Sequence, residues 1–229
     1  MSDQTYITPE LFTFLRELMQ NNDRDWFQAN KRRYERQVRE PLLRFISEFG
    51  VRLAEISPHY VADARKSGGS LFRINRDIRF SADKSPYKTH AGVQFRHESG
   101  KDVHAPGFYL HLEPDGVFGG VGIWHPDTKT LNRIRDAIVQ QPDRWQRIIS
   151  NDAFRAAFTM EGDSLKRAPK GYDPEHPLVE DLKRKDFIAV TSLSEDKTYA
   201  PNFVDHFAAT CRKATPFMEF LTGAVGLPW

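Results

Sequence analysis

Cysteine is almost missing: Cys211 stands alone among 229 residues, so no internal disulfide can brace the fold. It falls in an apolar helical pattern, which favours a buried structural thiol over a nucleophile. No apolar run approaches the ~18 residues needed to cross a membrane, and the polar start Met-Ser-Asp-Gln lacks the apolar stretch of a secretory leader. The expectation is a soluble, cytoplasmic protein with no membrane partner. Net charge is also small: 33 Lys and Arg against 31 Asp and Glu leave +2, which argues against a general nucleic-acid coat while leaving room for a local basic groove. A Walker loop, a Gly-x-Gly-x-x-Gly turn, a Gly-x-Ser-x-Gly elbow and a His-Glu-x-x-His helix are all missing, which removes the commonest enzyme classes. Gly119-Gly120-Val121-Gly122 sits inside an expected strand with no phosphate-binding helix after it, so it is not a nucleotide fingerprint.

What is present suits a folded globule: 39% hydrophobic and 12% aromatic residues, no linker-like stretch and no solenoid repeat, hence one domain over 1–229. Thr8-Pro9-Glu10 opens an amphipathic helix carrying Leu11, Phe12, Phe14, Leu15 and Leu18. Asp23 can cap a second helix, which Pro41 kinks or restarts. After Ser67-Gly68-Gly69-Ser70, period-two alternation predicts strands over Leu71 to Phe80, from Tyr87 to Arg96, and over Phe108 to Glu113, with Pro114-Asp115-Gly116 turning into a hairpin partner over Val117 to Trp124. His97 to Gly100 with Lys101 and Asp102 reads as polar connector. Three helical stretches follow from His125 to Phe158. Glu161 to His176 is a long loop and a candidate lid. Asp186 to Thr191 reads as a further strand, and Pro201 to Leu221 as one final helix. The expected fold is α+β, a largely antiparallel meander packed against N-terminal and C-terminal helices.

The basic excess is concentrated between Arg73 and His90. Arg73, Arg76, Arg79, Lys84 and Lys88 stand against Asp77 and Asp83, giving this short segment a larger net charge than the whole chain. Arginine offers a planar fork and lysine a point charge, and both suit an anion. As a strand, the segment would place Phe72, Ile74, Ile78 and Phe80 on one face and Arg73, Asn75, Asp77 and Arg79 on the other. Arg76 would fall on the apolar face and require a carboxylate partner or a bulge. The polar face of the sheet would collect His90, Gln94, Tyr109, His111 and Glu113. The side-chain-free Gly119, Gly120 and Gly122 read either as a groove floor or as a bulge or tight packing site. Arg24, Asn30, Lys31 and Arg33 near the second helix start could assist an anion site or form a solvated face.

The run Arg-x-x-Arg-Asp-x-Arg-Phe-Ser-x-Asp-Lys-x-Pro-Tyr-Lys, Arg73 to Lys88, resembles the signature of domain of unknown function 2461, a family of bacteria and fungi. Asn21-Asn22-Asp23-Arg24-Asp25-Trp26-Phe27 with Asn30-Lys31, and Gly119-Gly120-Val121-Gly122 with Trp124, also match, so the resemblance covers nearly the whole chain. It implies a single α+β domain of unassigned activity and supplies no catalytic residues.

Three readings of the chemistry stand side by side. In the first, Arg73, Arg76, Asp77, Arg79, Lys84, Tyr87 and Lys88 bind a small phosphorylated or carboxylated molecule, with His90, His111 and Glu113 as acid–base groups. Its condition is that the cations converge on one concave pocket. In the second, Arg and Lys interleaved with Phe80, Tyr87 and Tyr109, joined by Lys183, Arg184 and Lys185, form an open stripe for single-stranded nucleic acid or an acidic protein. In the third, the segment is a structural ion-pair network with no chemistry. Two imidazoles and a carboxylate at His90, His111 and Glu113 also resemble a metal set, but alternating polar residues on a half-exposed strand produce such sets by chance, and no metal or cofactor is assigned.

Overall fold

The computed structural model describes residues 5–79, 82–100 and 104–229. Helices α1 (Pro9–Gln20), α2 (Arg24–Tyr34) and α3 (Glu40–Ile56) come first. Strands β1 (Ala91–Arg96), β2 (Gly107–Leu112) and β3 (Phe118–Ile123) follow, then α4 (Thr128–Gln140), α5 (Pro142–Ile149), α6 (Asp152–Ala157) and β4 (Thr159–Glu161). Short α7 (Val179–Leu182), β5 (Phe187–Ser192), short α8 (Glu195–Thr198), α9 (Phe203–Lys213) and α10 (Thr215–Ala224) complete the α+β chain.

Local chemistry sets the helix ends. Asp23 accepts a hydrogen bond from the Trp26 amide at 2.8 Å to start α2, and Asp127 accepts from the Thr130 amide at 2.7 Å to start α4. The interruption expected at Pro41 takes the form of a π-helical turn over Glu35–Arg39, after which Pro41 sits in the first turn of α3, where its missing N–H costs least. The final helix expected over Pro201 to Leu221 is two: α9 ends at Lys213, and Pro216 lies in the first turn of α10. Proline there cannot continue the preceding helical ladder.

The sheet is antiparallel throughout, in the order β1-β2-β3-β5-β4. The first three strands are the expected meander, and β5 returns beside β3 with the short edge strand β4 outside it. Tyr109 lies opposite Gln94 and Gly120, and His111 opposite Gly92 and Phe118. Alternation then sends Val93, Phe95, Phe108, Leu110, Leu112, Val121 and Ala189 to the other face, all buried. That face packs on the helices: the Phe49 ring lies 4.5 Å from Phe95 and 5.1 Å from Phe207. Gly119 belongs to this face, where a Cβ would stand 3.0 Å from the Phe207 ring. One continuous core runs from Tyr6 to Leu221 and includes Cys211, whose thiol burial pushes far above its usual range. Burying each large side chain of this kind contributes about 1.5–3 kcal/mol.

The strand expected over Leu71 to Phe80 does not form. Ser70 and Phe72 pair with β1, the Gln94 amide donating to the Ser70 carbonyl at 2.8 Å and the Phe72 amide to the Gly92 carbonyl at 2.9 Å. Two residues on, the chain changes partner: the Lys88 amide donates to the Ile74 carbonyl at 2.8 Å and the Arg76 amide to the Pro86 carbonyl at 2.9 Å. Changing partners turns the backbone, so the buried positions are Leu71 and Ile74, three apart, and period two fails. The result is an irregular arm that leaves the edge of β1 and returns to it. Phe80 and Ser81 within it, and Lys101 and Asp102 of the expected connector, lie outside the described residues.

Candidate functional site

The sheet face opposite the helices forms one wall of a cavity of about 470 Å³. Its floor is Tyr109, His111, Phe118, Gly120 and Gly122, its arm side is Phe72, Lys88 and His90, and its far rim carries Trp124, Glu161, Ile188 and Val190. The floor is low because of its glycines. A Cβ on Gly120 would meet only Tyr109, at 3.7 Å, so that position opens directly onto the cavity. Gly122 has a different cause: its φ is 122°, and a Cβ would fall 2.0 Å from the Phe187 carbonyl oxygen. The two readings of the glycine run are therefore divided among its members, with Gly119 packed against the helices, Gly122 forced by backbone and Gly120 left as floor.

A hydrogen-bonded chain runs from this floor to Glu113, which lies outside the cavity lining. The Tyr109 hydroxyl lies 3.0 Å from His111 Nδ1, and His111 Nε2 lies 3.2 Å from Glu113 Oε2. The second Glu113 oxygen accepts from the Thr89 hydroxyl at 3.2 Å. With Glu113 ionised and able only to accept, Nε2 carries the proton, and Nδ1 accepts from the tyrosine. Gly92 makes room for this arrangement, since a Cβ there would fall 2.5 Å from the Tyr109 hydroxyl. Burial, reinforced by the Glu113 charge, pushes the Tyr109 hydroxyl well above the usual phenol range and keeps it a neutral donor.

His90 stands beside His111 with ring centroids 4.4 Å apart, while Phe118 stacks on His111 from the other side at 4.5 Å. Burial, then the neighbouring His111, lower the His90 imidazole to about 4, so it is neutral near pH 7. Lys88 spans the arm side of the cavity with Nζ 5.3 Å from the Phe72 ring centroid. Burial and the nearby Arg73 and Arg76 push its ammonium below the usual lysine range.

The residues expected to bind an anion separate sharply here. Lys88 lines the cavity; Arg73, Arg76, Asp77, Arg79, Lys84 and Tyr87 do not. Arg76 pairs with Asp83, which supplies the carboxylate that position requires, and Arg79 forks onto Asp77 with contacts of 2.6 and 2.9 Å. The Lys84 ammonium donates to the Ile78 carbonyl at 2.9 Å. Tyr87 is buried and stacked on Phe27, ring centroids 4.1 Å apart. Near the second helix, Arg33 is held by Glu17 at 2.7 and 3.0 Å. The Glu161 to His176 loop is tied to α4 by the Tyr172 hydroxyl, 2.8 Å from Asp136, and to Lys183 through the Leu165 amide; only Glu161 among its residues lines the cavity.

Sequence reasoning missed Phe72, Phe118, Trp124 and Glu161 as cavity walls, and Thr89 as a partner of Glu113. Phe118 follows from the hairpin register that sets it opposite His111, and Trp124 shares its parity along Val117 to Trp124, but Phe72, Glu161 and Thr89 depend on how the arm and β4 close over the sheet. It also missed the clamp formed by Asn22, whose side chain donates to the Tyr87 carbonyl at 3.0 Å and accepts from the Tyr87 amide at 3.1 Å.

A family model described as conserved hypothetical protein (DUF2461) matches residues 10–220. No curated protein and no solved structure matches the chain.

Proposed function

The chain belongs to the DUF2461 family of conserved hypothetical proteins, and from that starting point we propose that its cavity is an enzyme-like site for a small organic molecule bearing a carboxylate or phosphate. The observation that carries this reading is convergence: Lys88, His90, Tyr109 and His111 line one aromatic-walled cavity of about 470 Å³, and Glu113, outside its lining, bonds to His111. Lys88 is the anchor for the anionic group. Arg73 and Arg76 add positive field behind it, as their effect on the lysine indicates. Phe72, Phe118 and Trp124 enclose the apolar part of the molecule. Neutral His90 and the His111 relay are groups able to accept or deliver a proton beside it.

An open nucleic-acid stripe has less support, because its cations are engaged: Arg76, Arg79, Lys183 and Arg184 each pair with a carboxylate close by in sequence. Among the described residues no helix is long and apolar enough to cross a membrane. A cytoplasmic location forms part of the proposal, on the strength of the single buried cysteine.

The test is a thermal-shift screen of phosphorylated and carboxylated metabolites against the wild type, Lys88→Met and Arg79→Ala. A ligand at a hundred times its dissociation constant stabilises by about 2.7 kcal/mol. The expected result is a hit that Arg79→Ala keeps and Lys88→Met weakens roughly ten- to hundredfold, the worth of a charge-assisted contact of about 1.5–3 kcal/mol. No hit with folded wild type, or a hit indifferent to Lys88→Met, overturns the reading.

A further inference from the structure

We propose that His90, His111 and Glu113 form a binding site for a divalent first-row transition ion that faces the cavity. The inference rests on the reading that this cavity is the working site, and it adds the cofactor class. One donor atom from each of the three residues lies within 4.8 Å of the others. Two of them already have the spacing an ion requires: His111 Nε2 and Glu113 Oε2 are 3.2 Å apart, and metal–ligand distances of about 2.0–2.1 Å in a tetrahedron put neighbouring donors about 3.3 Å apart. The ion would take the place of the proton these two atoms share. His90, whose ring has no hydrogen-bond partner among the described residues, closes the set by turning toward His111, whose ring centre is 4.4 Å away.

The groups behind the donors make a second, independent argument. A metal-bound imidazole ordinarily has its other nitrogen held by a hydrogen bond, which fixes the ring, and a bound carboxylate is likewise held. His111 Nδ1 has the Tyr109 hydroxyl at 3.0 Å, and the free Glu113 oxygen has the Thr89 hydroxyl at 3.2 Å. On metal binding the His111 proton moves to Nδ1, and the tyrosine oxygen accepts it instead of donating. Phe118, stacked on His111, fixes the ring plane.

Three protein ligands leave coordination positions open toward the cavity, where Lys88 stands. A water there, or an oxygen of the lysine-bound anion, completes the shell. Two imidazoles and one carboxylate suit zinc, iron(II), cobalt(II) or manganese(II) better than calcium or magnesium, which take oxygen ligands.

The experiment uses the full chain, stripped with a chelator and titrated with Co²⁺, whose visible ligand-field absorption reports imidazole coordination. The expected result is one equivalent bound, with affinity lowered at least about tenfold in Glu113→Gln and in His90→Ala, and about ten- to a hundredfold in Tyr109→Phe. His111→Ala also removes a buried ring packed on Phe118, so the decisive variant is His90→Ala, whose ring forms no hydrogen bond among the described residues. Wild type that gives only the aquo-ion spectrum, or a folded His90→Ala that binds cobalt as tightly as wild type, overturns the site. The metabolite screen repeated with and without metal separates the two proposals. Anion binding without cobalt binding removes the ion and spares the cavity; cobalt binding with no anion response does the reverse.

Discussion

The arm from Leu71 to His90 and the sheet face it covers are built on opposite principles. The arm carries a net positive charge larger than that of the whole chain, yet Arg76, Arg79 and Lys84 are satisfied within it, by Asp83, Asp77 and the Ile78 carbonyl. The sheet face carries few charges, but His111, at 9% exposed, sits in a chain of hydrogen bonds and faces a cavity. A cation with a carboxylate two residues away is held by its own loop. An imidazole whose partners stand two residues before and two residues after it in the chain is held in place for something else. Charge density in sequence therefore marks how the arm keeps its shape, and the alternation of three short strands marks where chemistry is placed.

The largest effect expected from breaking this contrast lies in the floor itself. Gly122→Ala forces a positive φ on an L side chain and drives its Cβ into the Phe187 carbonyl, so it should cost at least about 3 kcal/mol in urea unfolding. Gly120→Ala, two residues away on the same face, should fold within about 1 kcal/mol of wild type, because its methyl group enters open cavity. Cys211 provides the readout: buried and with its thiol pushed far up, it should react with a thiol reagent only on unfolding, early in denaturant for Gly122→Ala and late for Gly120→Ala. Equal stability of the two variants would mean that the strand backbone at Gly122 relaxes easily.

A middle-sized effect separates what holds the arm from what decorates it. Asn22 grips both backbone groups of Tyr87, and Asn22→Ala leaves two half-buried polar groups without that partner. The cost should be about 1–3 kcal/mol. Because Lys88 is the next residue, the variant should also weaken anion binding, and it should lower cobalt affinity less, because His90 adjoins Ala91, which the sheet holds against Leu112. Loss of cobalt binding together with anion binding would show that arm and floor are one unit and not two.

Much of this arrangement was legible in sequence. The α+β class, the meander and the shared face of His90, Gln94, Tyr109, His111 and Glu113 all follow from period-two alternation between clear turns, because a half-buried sheet leaves its pattern in each strand. The Leu71 to Phe80 strand was illegible for a specific reason: Phe72 and Ile74 bond to different partner segments, so alternation in sequence there does not correspond to alternation in space. The edge strand β4, three residues long, is too short to show a period. Lys88 could not be told from Arg79 by sequence, since what separates them is the arm's path, which carries one over the Phe72 ring and leaves the other beside Asp77.

The smallest expected effect is the one that bears most directly on the contrast. Arg79 and Asp77 grip each other through two contacts, and the pairing holds the Asp77 carboxyl far below its usual range. A depressed carboxylate pKa stabilises the fold above the ordinary value of about 3.8 and loses that stabilisation as pH falls through the lowered one. Both groups are, however, open to water, where solvent screens the pair and holding two side chains in one geometry costs entropy. Arg79→Ala and Asp77→Asn should therefore leave the melting temperature unchanged within error from pH 7 down to pH 4, and leave anion and cobalt affinity at wild-type values. A clear loss of anion binding in Arg79→Ala, with the fold intact, would return the arginines to the site and make the arm a part of the chemistry.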